Sequence, residues 1–355
     1  MLSTVTGPVA IGFGITHHCN LRCPHCIRDD VVGVKELDPN FMLRVLAEAR
    51  DLFGNLTASF TGGEPLLHSR WSEVIDGLAA ARIPYTFVSN GWHTASLAAL
   101  LDQYPPYLVR LSLSGANAAV HDAERGGGSF SRVLMSTAIL TNRRVPTVYS
   151  FLIDKRTRSQ LAQAYELAAR MGCVAIRYIF PQPVPATMSR ETDLSPQEWR
   201  SARTELSELE AKARATRLIV DYGAPFVAEP FLCDTMSYKR IYIDVDGRMC
   251  TCCQLSEYGS NAEEVVADLN ELSFRDAFAQ YVARIEALKV ISAATDAHDP
   301  LADMPCLRCA RASGKLQWLR AFPGTDWAVA GRREDEEATV VSLRYSKKAK
   351  RIVVS

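Results

Sequence analysis

Residues 10–26 read AIGFGITHHCNLRCPHC, a short apolar run followed by three cysteines spaced Cys19-x-x-x-Cys23-x-x-Cys26. The run has the length and the β-branched and aromatic content of a buried strand. Similar runs recur at Thr57–Thr61, Tyr85–Ser89, Val109–Ser114, Thr147–Ile153 and Val174–Phe180. Amphipathic segments lie between them, among them Phe41–Phe53, Trp71–Ala81, Arg132–Thr141 and Gln160–Met171. Strands alternating with helices imply a parallel sheet of βα units. Six such units, at a spacing of roughly 30 residues, predict an α/β fold, a partial (β/α)6 TIM-like barrel rather than a closed eight-stranded one. Asp38-Pro39 supports a helix start, since a capping acid precedes a proline at the first helical position.

Beyond the barrel, Ser195-Pro196-Gln197-Glu198 is a capping box that opens a charged helix to about Arg214. A strand-like Leu218–Tyr222 follows. Ile241–Val245, Asp246-Gly247 and Arg248–Cys250 then read as a hairpin with an Asp-Gly turn. The expected division is a barrel at 1–190, a linking helix and strand at 191–228, a small cysteine-rich α+β domain at 229–325 and a tail at 326–355. The charge run Arg332–Glu337 and the basic Lys347–Arg351 stretch read as solvated tail.

The chain has 355 residues, of which 48% are hydrophobic and 23% charged, enough to bury a full core. Forty basic residues balance forty acidic ones. That balance argues against a nucleic-acid partner, which a basic surplus would serve. The apolar stretch Val9–Ile15 is too short to span a bilayer and lacks the flanks of a signal peptide, so a cytoplasmic protein without a membrane partner is expected. Ten cysteines in such a chain then call for metal binding or catalysis rather than disulfides. Nine fall into two groups, and Cys173 alone reads as a small buried apolar residue.

The first group follows directly on the first strand, where a βα loop sits at the active face of a barrel. Three thiolates can ligate three irons of a [4Fe–4S] cube and leave the fourth iron open, as a catalytic metal requires. On spacing alone, a zinc site completed by His17, His18 or His25 is the alternative. Later strands end in polar or glycine-bearing loops: Thr61-Gly62-Gly63-Glu64-Pro65, Ser89-Asn90-Gly91 and Ser112-Leu113-Ser114-Gly115. Paired glycines let backbone approach a ligand closely.

The cysteine triad with Gly-Gly-Glu-Pro resembles the radical S-adenosylmethionine (SAM) superfamily, in order and strand placement, across residues 10 to 181. The resemblance implies that Cys19, Cys23 and Cys26 carry a [4Fe–4S] cluster whose open iron is chelated by SAM. His25 stands where the family usually has an aromatic residue near the adenine. Thr61, Gly62, Gly63, Glu64 and Pro65 would bind the methionine amino end, and Ser89 and Asn90 the ribose. Ser112 matches a serine near SAM, and Arg125 resembles an arginine that pairs with the SAM carboxylate. A flavodoxin- or ferredoxin-type electron donor is implied as a partner.

Cys233, Cys250, Cys306 and Cys309 form a looser second pattern, four thiols from separated segments that can close a complete cluster or zinc site. It is similar to the SPASM/twitch extension of that superfamily, best to the shorter form with one auxiliary [4Fe–4S] cluster. Cys252 and Cys253 are too close to Cys250 for spacing to rank the three as ligands. Alternatively, one of them returns a hydrogen atom to a substrate radical, as a catalytic cysteine of an epimerase does.

The resemblance implies an enzyme that cleaves SAM reductively and takes hydrogen from a substrate C–H. With the first strand starting near residue 10, no leader-recognition domain is expected ahead of it, which favours a carbohydrate-like or aminocyclitol metabolite and its epimerisation. The other readings are a dehydrogenase that uses the auxiliary cluster as electron acceptor and modification of a ribosomally made peptide. A non-catalytic iron–sulfur protein is the reading of another class.

Overall fold

The computed structural model describes residues 8–28, 33–222, 233–256, 264–293, 299–331, 343–346 and 351–354. The charge run at 332–337 and residues 347–350 lie outside the described residues.

In chain order the barrel half runs β1 (Val9–Gly14), α1 (Pro39–Phe53), β2 (Leu56–Thr61), α2 (Trp71–Ala81), β3 (Tyr85–Ser89), α3 (Thr94–Gln103) and β4 (Leu108–Leu113). It continues with α4 (Ala118–Arg125), α5 (Ser129–Asn142), β5 (Thr147–Leu152), α6 (Leu161–Arg170) and β6 (Ala175–Ile179). Next come α7 (Pro185–Ser189), α8 (Pro196–Ala213) and β7 (Ile219–Asp221). Strands β8 (Arg240–Ile243), β9 (Arg248–Cys250) and β10 (Val265–Asp268) lead to α9 (Phe274–Ala293), α10 (Pro305–Ala312) and α11 (Asp326–Gly331). A separate pair, β11 (Leu343–Ser346) and β12 (Arg351–Val354), is antiparallel.

The helix starts follow the caps in the sequence. Asp38 accepts from the amides of Asn40 and Phe41, and Ser195 and Glu198 close both halves of their capping box. The sheet order is β10-β9-β8-β1-β2-β3-β4-β5-β6-β7, with β1 to β7 parallel in sequence order. Two features were not anticipated. Strand β7 continues the barrel by pairing with β6, and β8 returns to the opposite edge and pairs in parallel with β1. The cysteine-rich segment is therefore built onto the barrel sheet itself, as the β8–β9 hairpin and β10.

The pleat separates two faces. Phe13 and Phe60 stack at 5.8 Å, and Phe60 meets Trp71 of α2 edge-on, so Val9, Ile11 and Phe13 face the helices. Their neighbours Ala10 and Gly12 face the concave side. On β4, buried Val109, Leu111 and Leu113 alternate with half-buried Arg110 and Ser112. Helix α9 was unforeseen, although Phe274, Phe278, Tyr281, Ile285 and Leu288 repeat at three- and four-residue steps and are all buried. Its Phe274 and Phe278 meet Phe53 of α1 edge-on, which fixes the second cysteine segment against the barrel.

Candidate functional site: one cysteine loop and one group of thiols

After β1 the chain is stitched to the loop that follows β2. The Gly63 amide donates to Thr16 O at 2.6 Å and the Glu64 amide to His18 O at 2.8 Å. This approach demands glycine. A Cβ at Gly63 would lie 2.2 Å from His18 O, and one at Gly62, whose φ is +145°, 2.6 Å from Thr16 O. Thr61 ends β2 and its carbonyl accepts from the Ile15 amide, while Pro65 begins a short 3₁₀ turn.

Glu64 then ties in the loop after β3. Its buried carboxylate accepts from Ser89 Oγ at 2.8 Å, the Asn90 amide at 2.7 Å and the Leu66 amide at 3.3 Å. Burial pushes this carboxyl up to about 7, against the pull of those donors and of Arg125. Asn90 Nδ2 donates to Asn20 Oδ1 at 2.9 Å and approaches Cys19 Sγ at 3.9 Å. Ser89, expected at a ribose, has its hydroxyl committed to Glu64.

Cys19 and Cys26 are exposed and Cys23 is half-buried, and the three lie within electrostatic reach of one another. The site's other wall is α4 with the loop before it. Arg125 Nε donates to Ser114 Oγ at 2.8 Å, and its guanidinium faces Cys23. His25 is held by Glu124, with Nδ1 to Oε2 at 3.1 Å. Burial first, then Arg125, Arg156 and Arg190, hold the imidazole down at about 3. The ring is therefore neutral. Nδ1–H donates to the Glu124 carboxylate, and Nε2 accepts from Arg125 Nη2 at 3.5 Å. Ser112 lies one pleat in from this wall, paired in register with Ser150.

The sequence reading missed Glu124. This buried carboxylate also accepts from Arg156 and, at 3.2 Å, from Arg190, so it joins the cysteine loop to α4 and to the segments after β5 and α7. No spacing marks it. Its one sequence signal is that it stands beside Arg125.

The second group gathers differently from the expectation. Cys250 points away from the other cysteines. Its neighbours are Asp244, Arg248, Ser256 and Glu264, and its thiol lies 3.6 Å from Asp244 Oδ2. The physical reason is that Cys250 is held in β9 opposite Tyr242, whereas Cys252 and Cys253 lie past the strand end, where the chain turns. Cys252 and Cys253 meet each other and join Cys233, Cys306 and Cys309 in one half-buried group of thiols. Cys306 and Cys309 share a face of α10, three residues apart. Burial pushes the Cys309 thiol up to about 12 and raises Cys306 as well, so a metal cluster is what would hold these two as thiolates, whereas Cys252 and two arginines pull Cys253 down to about 6. Among the described residues no three His, Cys, Asp or Glu side chains converge as a single ion requires. A lone zinc needs thiolates at about 2.3 Å, whereas a four-iron cube spreads them over its corners; the thiol groups thus fit clusters better than the zinc alternative.

Residues 14–168 match the family model of the radical SAM superfamily. Mycofactocin maturase MftC of Mycolicibacterium smegmatis is 30% identical over 173 residues, 46% of this chain and 43% of that protein. PqqA peptide cyclase of Granulibacter bethesdensis is 28% identical over 177 residues, 48% of this chain and 46% of that one. The chain thus spans about half the length of these curated relatives. Native anSMEcpe with bound AdoMet and Cp18Cys peptide superposes with a TM-score of 0.64 at 14% identity, over 91% of this chain and 99% of that one. At that identity the likeness shows the fold. The carbohydrate-like substrate expected from the sequence finds no support among these proteins. Among the described residues no helix is long and apolar enough to cross a membrane.

Proposed function

We propose that this chain is a radical SAM enzyme, its SAM domain covering the matched residues 14–168, and that it modifies a peptide by hydrogen abstraction and returns hydrogen from Cys253. Its cofactors are SAM and a [4Fe–4S] cluster; when bound, they supply a radical able to take hydrogen from an unactivated C–H. Cys19, Cys23 and Cys26 would hold the cluster. Cys233, Cys252, Cys306 and Cys309 would hold an auxiliary one.

The chain's own residues supply position. The Gly62–Gly63 backbone brings the loop after β2 against the cysteine loop, and buried Glu64 keeps Ser89 and Asn90 in register with it. Arg125, fixed by Ser114 and His25, presents a guanidinium for the SAM carboxylate. Burial and the surrounding arginines keep His25 neutral, and Glu124 fixes the orientation of its ring, which would serve as the flat contact for the adenine. Ser89 and Asn90 act as positioning residues through Glu64 and Asn20.

The fifth thiol carries the reading. A closed four-iron cube takes four thiolates, and the second group holds five. Cys253 is the member that faces Arg177 and Arg240, on strands that present those residues to the concave face. The Cys252 hydrogen bond and those arginines pull the Cys253 thiol down to about 6, so its protonated form is the donor: that S–H bond is weak enough to quench a carbon radical, and one electron from a flavodoxin- or ferredoxin-type donor together with a solvent proton would restore the thiol. The peptide substrate rests on the relatives, which include a peptide cyclase and a peptide-bound structure.

The test is reduced, reconstituted enzyme with SAM and a short-peptide library in deuterated water. Formation of 5′-deoxyadenosine with one solvent deuterium per product, lost in Cys253→Ala, is the expected result. A product two hydrogens lighter and without deuterium would assign the auxiliary cluster as electron acceptor instead. No SAM cleavage with any reductant would sink the enzyme reading.

A further inference from the structure

Three arginines of the barrel interior, two of them facing Cys253, have been given no ligand of their own. Arg110 on β4, Arg177 on β6 and Arg240 on β8 all occupy concave-face positions. Arg110 and Arg177 alternate with helix-facing apolar residues, and Arg240 pairs in register with Ala10. They come from strands far apart in sequence, yet Arg110 lies within electrostatic reach of both others.

Their counter-charges fall short. Arg177 reaches Asp221 at 3.5 Å and Arg240 reaches Asp234 at 3.7 Å, both longer than a good charged hydrogen bond. Arg110 donates to the neutral Thr86 hydroxyl at 3.2 Å, and Thr86 leans on Ser59 at 3.3 Å. Among the described residues, three guanidiniums thus face two carboxylates at long range. Burial, followed by Arg240 and Arg177, pulls Arg110 down to about 10, so its charge is costly in the ligand-free protein. Cys253 borders the same arginines from the auxiliary side.

We propose that Arg110, Arg177 and Arg240 form an oxyanion site on the concave face that anchors a carboxylate or phosphate of the substrate beside Cys253. A bound oxyanion supplies the missing charge, and guanidinium forks suit it geometrically. The site deepens the proposed function and rests on it: an acidic side chain or chain terminus of the substrate would be held at depth, fixing which C–H sits at the mouth.

The site is probed by calorimetric titration of inorganic phosphate and of glutarate into the reconstituted holoenzyme at constant ionic strength. One saturable site is expected, weakened at least tenfold in Arg110→Gln and in Arg177→Gln, and unchanged in Arg170→Gln on the exposed face of α6. Tighter phosphate binding would identify a phosphate-bearing substrate, and tighter glutarate binding a carboxylate. Arg110→Gln also separates this role from a structural one, since removing a half-buried charge crowded by two other guanidiniums should hold or raise the ligand-free melting temperature. Absence of saturable binding, or a lowered melting temperature with anion binding intact, would overturn the proposal. The two readings fail separately: anion binding is measured without SAM cleavage, and SAM cleavage without the anion.

Discussion

Gly63→Ala tests whether the loop after β2 is clamped to the cysteine loop by backbone contact. The new Cβ would sit 2.2 Å from His18 O, where ordinary contact begins at 3.4 Å, so the two strands of backbone must part by more than 1 Å. That movement breaks the Gly63–Thr16 and Glu64–His18 hydrogen bonds, at about 1 kcal/mol each. Overpacking against rigid backbone adds about 1–3 kcal/mol. The total is about 3–5 kcal/mol. With an unfolding entropy near 2.1 cal/mol/K per residue over 355 residues, this lowers Tm by about 4–7 °C. Scanning fluorimetry measures it, with iron content and equilibrium SAM binding measured beside it, and both should fall because the displaced segment carries Cys19. Gly127→Ala is the control, since its Cβ meets nothing within 4 Å. A wild-type Tm together with wild-type iron and SAM binding in Gly63→Ala would refute the clamp.

Cys252→Ala should lose the auxiliary cluster, about half of the roughly eight irons of a two-cluster chain, whereas Cys250→Ala should keep them all; iron analysis decides, and the reverse pattern would restore Cys250 as the ligand. Glu64 ties stability to pH. Its carboxyl is raised from 4.5 to about 7, so its contribution is fully present below about pH 4.5 and is lost as pH rises through 7. The stability gap between wild type and Glu64→Gln should therefore move against wild type by about 3 kcal/mol across that window, read from urea melts of the SAM-free protein. Glu124→Gln leaves Arg156 and Arg190 without their shared carboxylate; because both are partly exposed, the cost should be about 1–2 kcal/mol, with weaker SAM binding in the same samples. Ser195→Ala should cost about 1 kcal/mol and leave SAM binding alone, which separates a helix cap from a site residue.

Much of the barrel was legible because its information is local. Tyr85–Ser89 and Trp71–Ala81 fall where the apolar periodicity puts them, and most other strand and helix ends lie within a residue or two. Asp38 and Ser195 cap as their neighbours dictate. Other elements were harder to read. Helix α4 is short and half polar, and only His121 and Glu124 of it are buried. Helix α9 carries a clear apolar repeat, but it sits in a segment where the cysteines drew the reading.

The residues alone determined the alternation of strands and helices and the placement of Cys19, Cys23 and Cys26 just past the first strand, because hydrophobic period and chain order act over a few residues. Pairings between distant segments were left to the tertiary structure. Strand β8 seats itself beside β1 across more than two hundred intervening residues, and that pairing carries the second cysteine segment to the barrel edge. There the end of β9 turns Cys250 away and brings Cys252 and Cys253 in, a choice between adjacent residues of one chemistry that only backbone direction can make. The same closure brings Arg110, Arg177 and Arg240 onto one concave face. Their charges meet because the sheet carries them there, and no periodicity in the chain encodes that meeting.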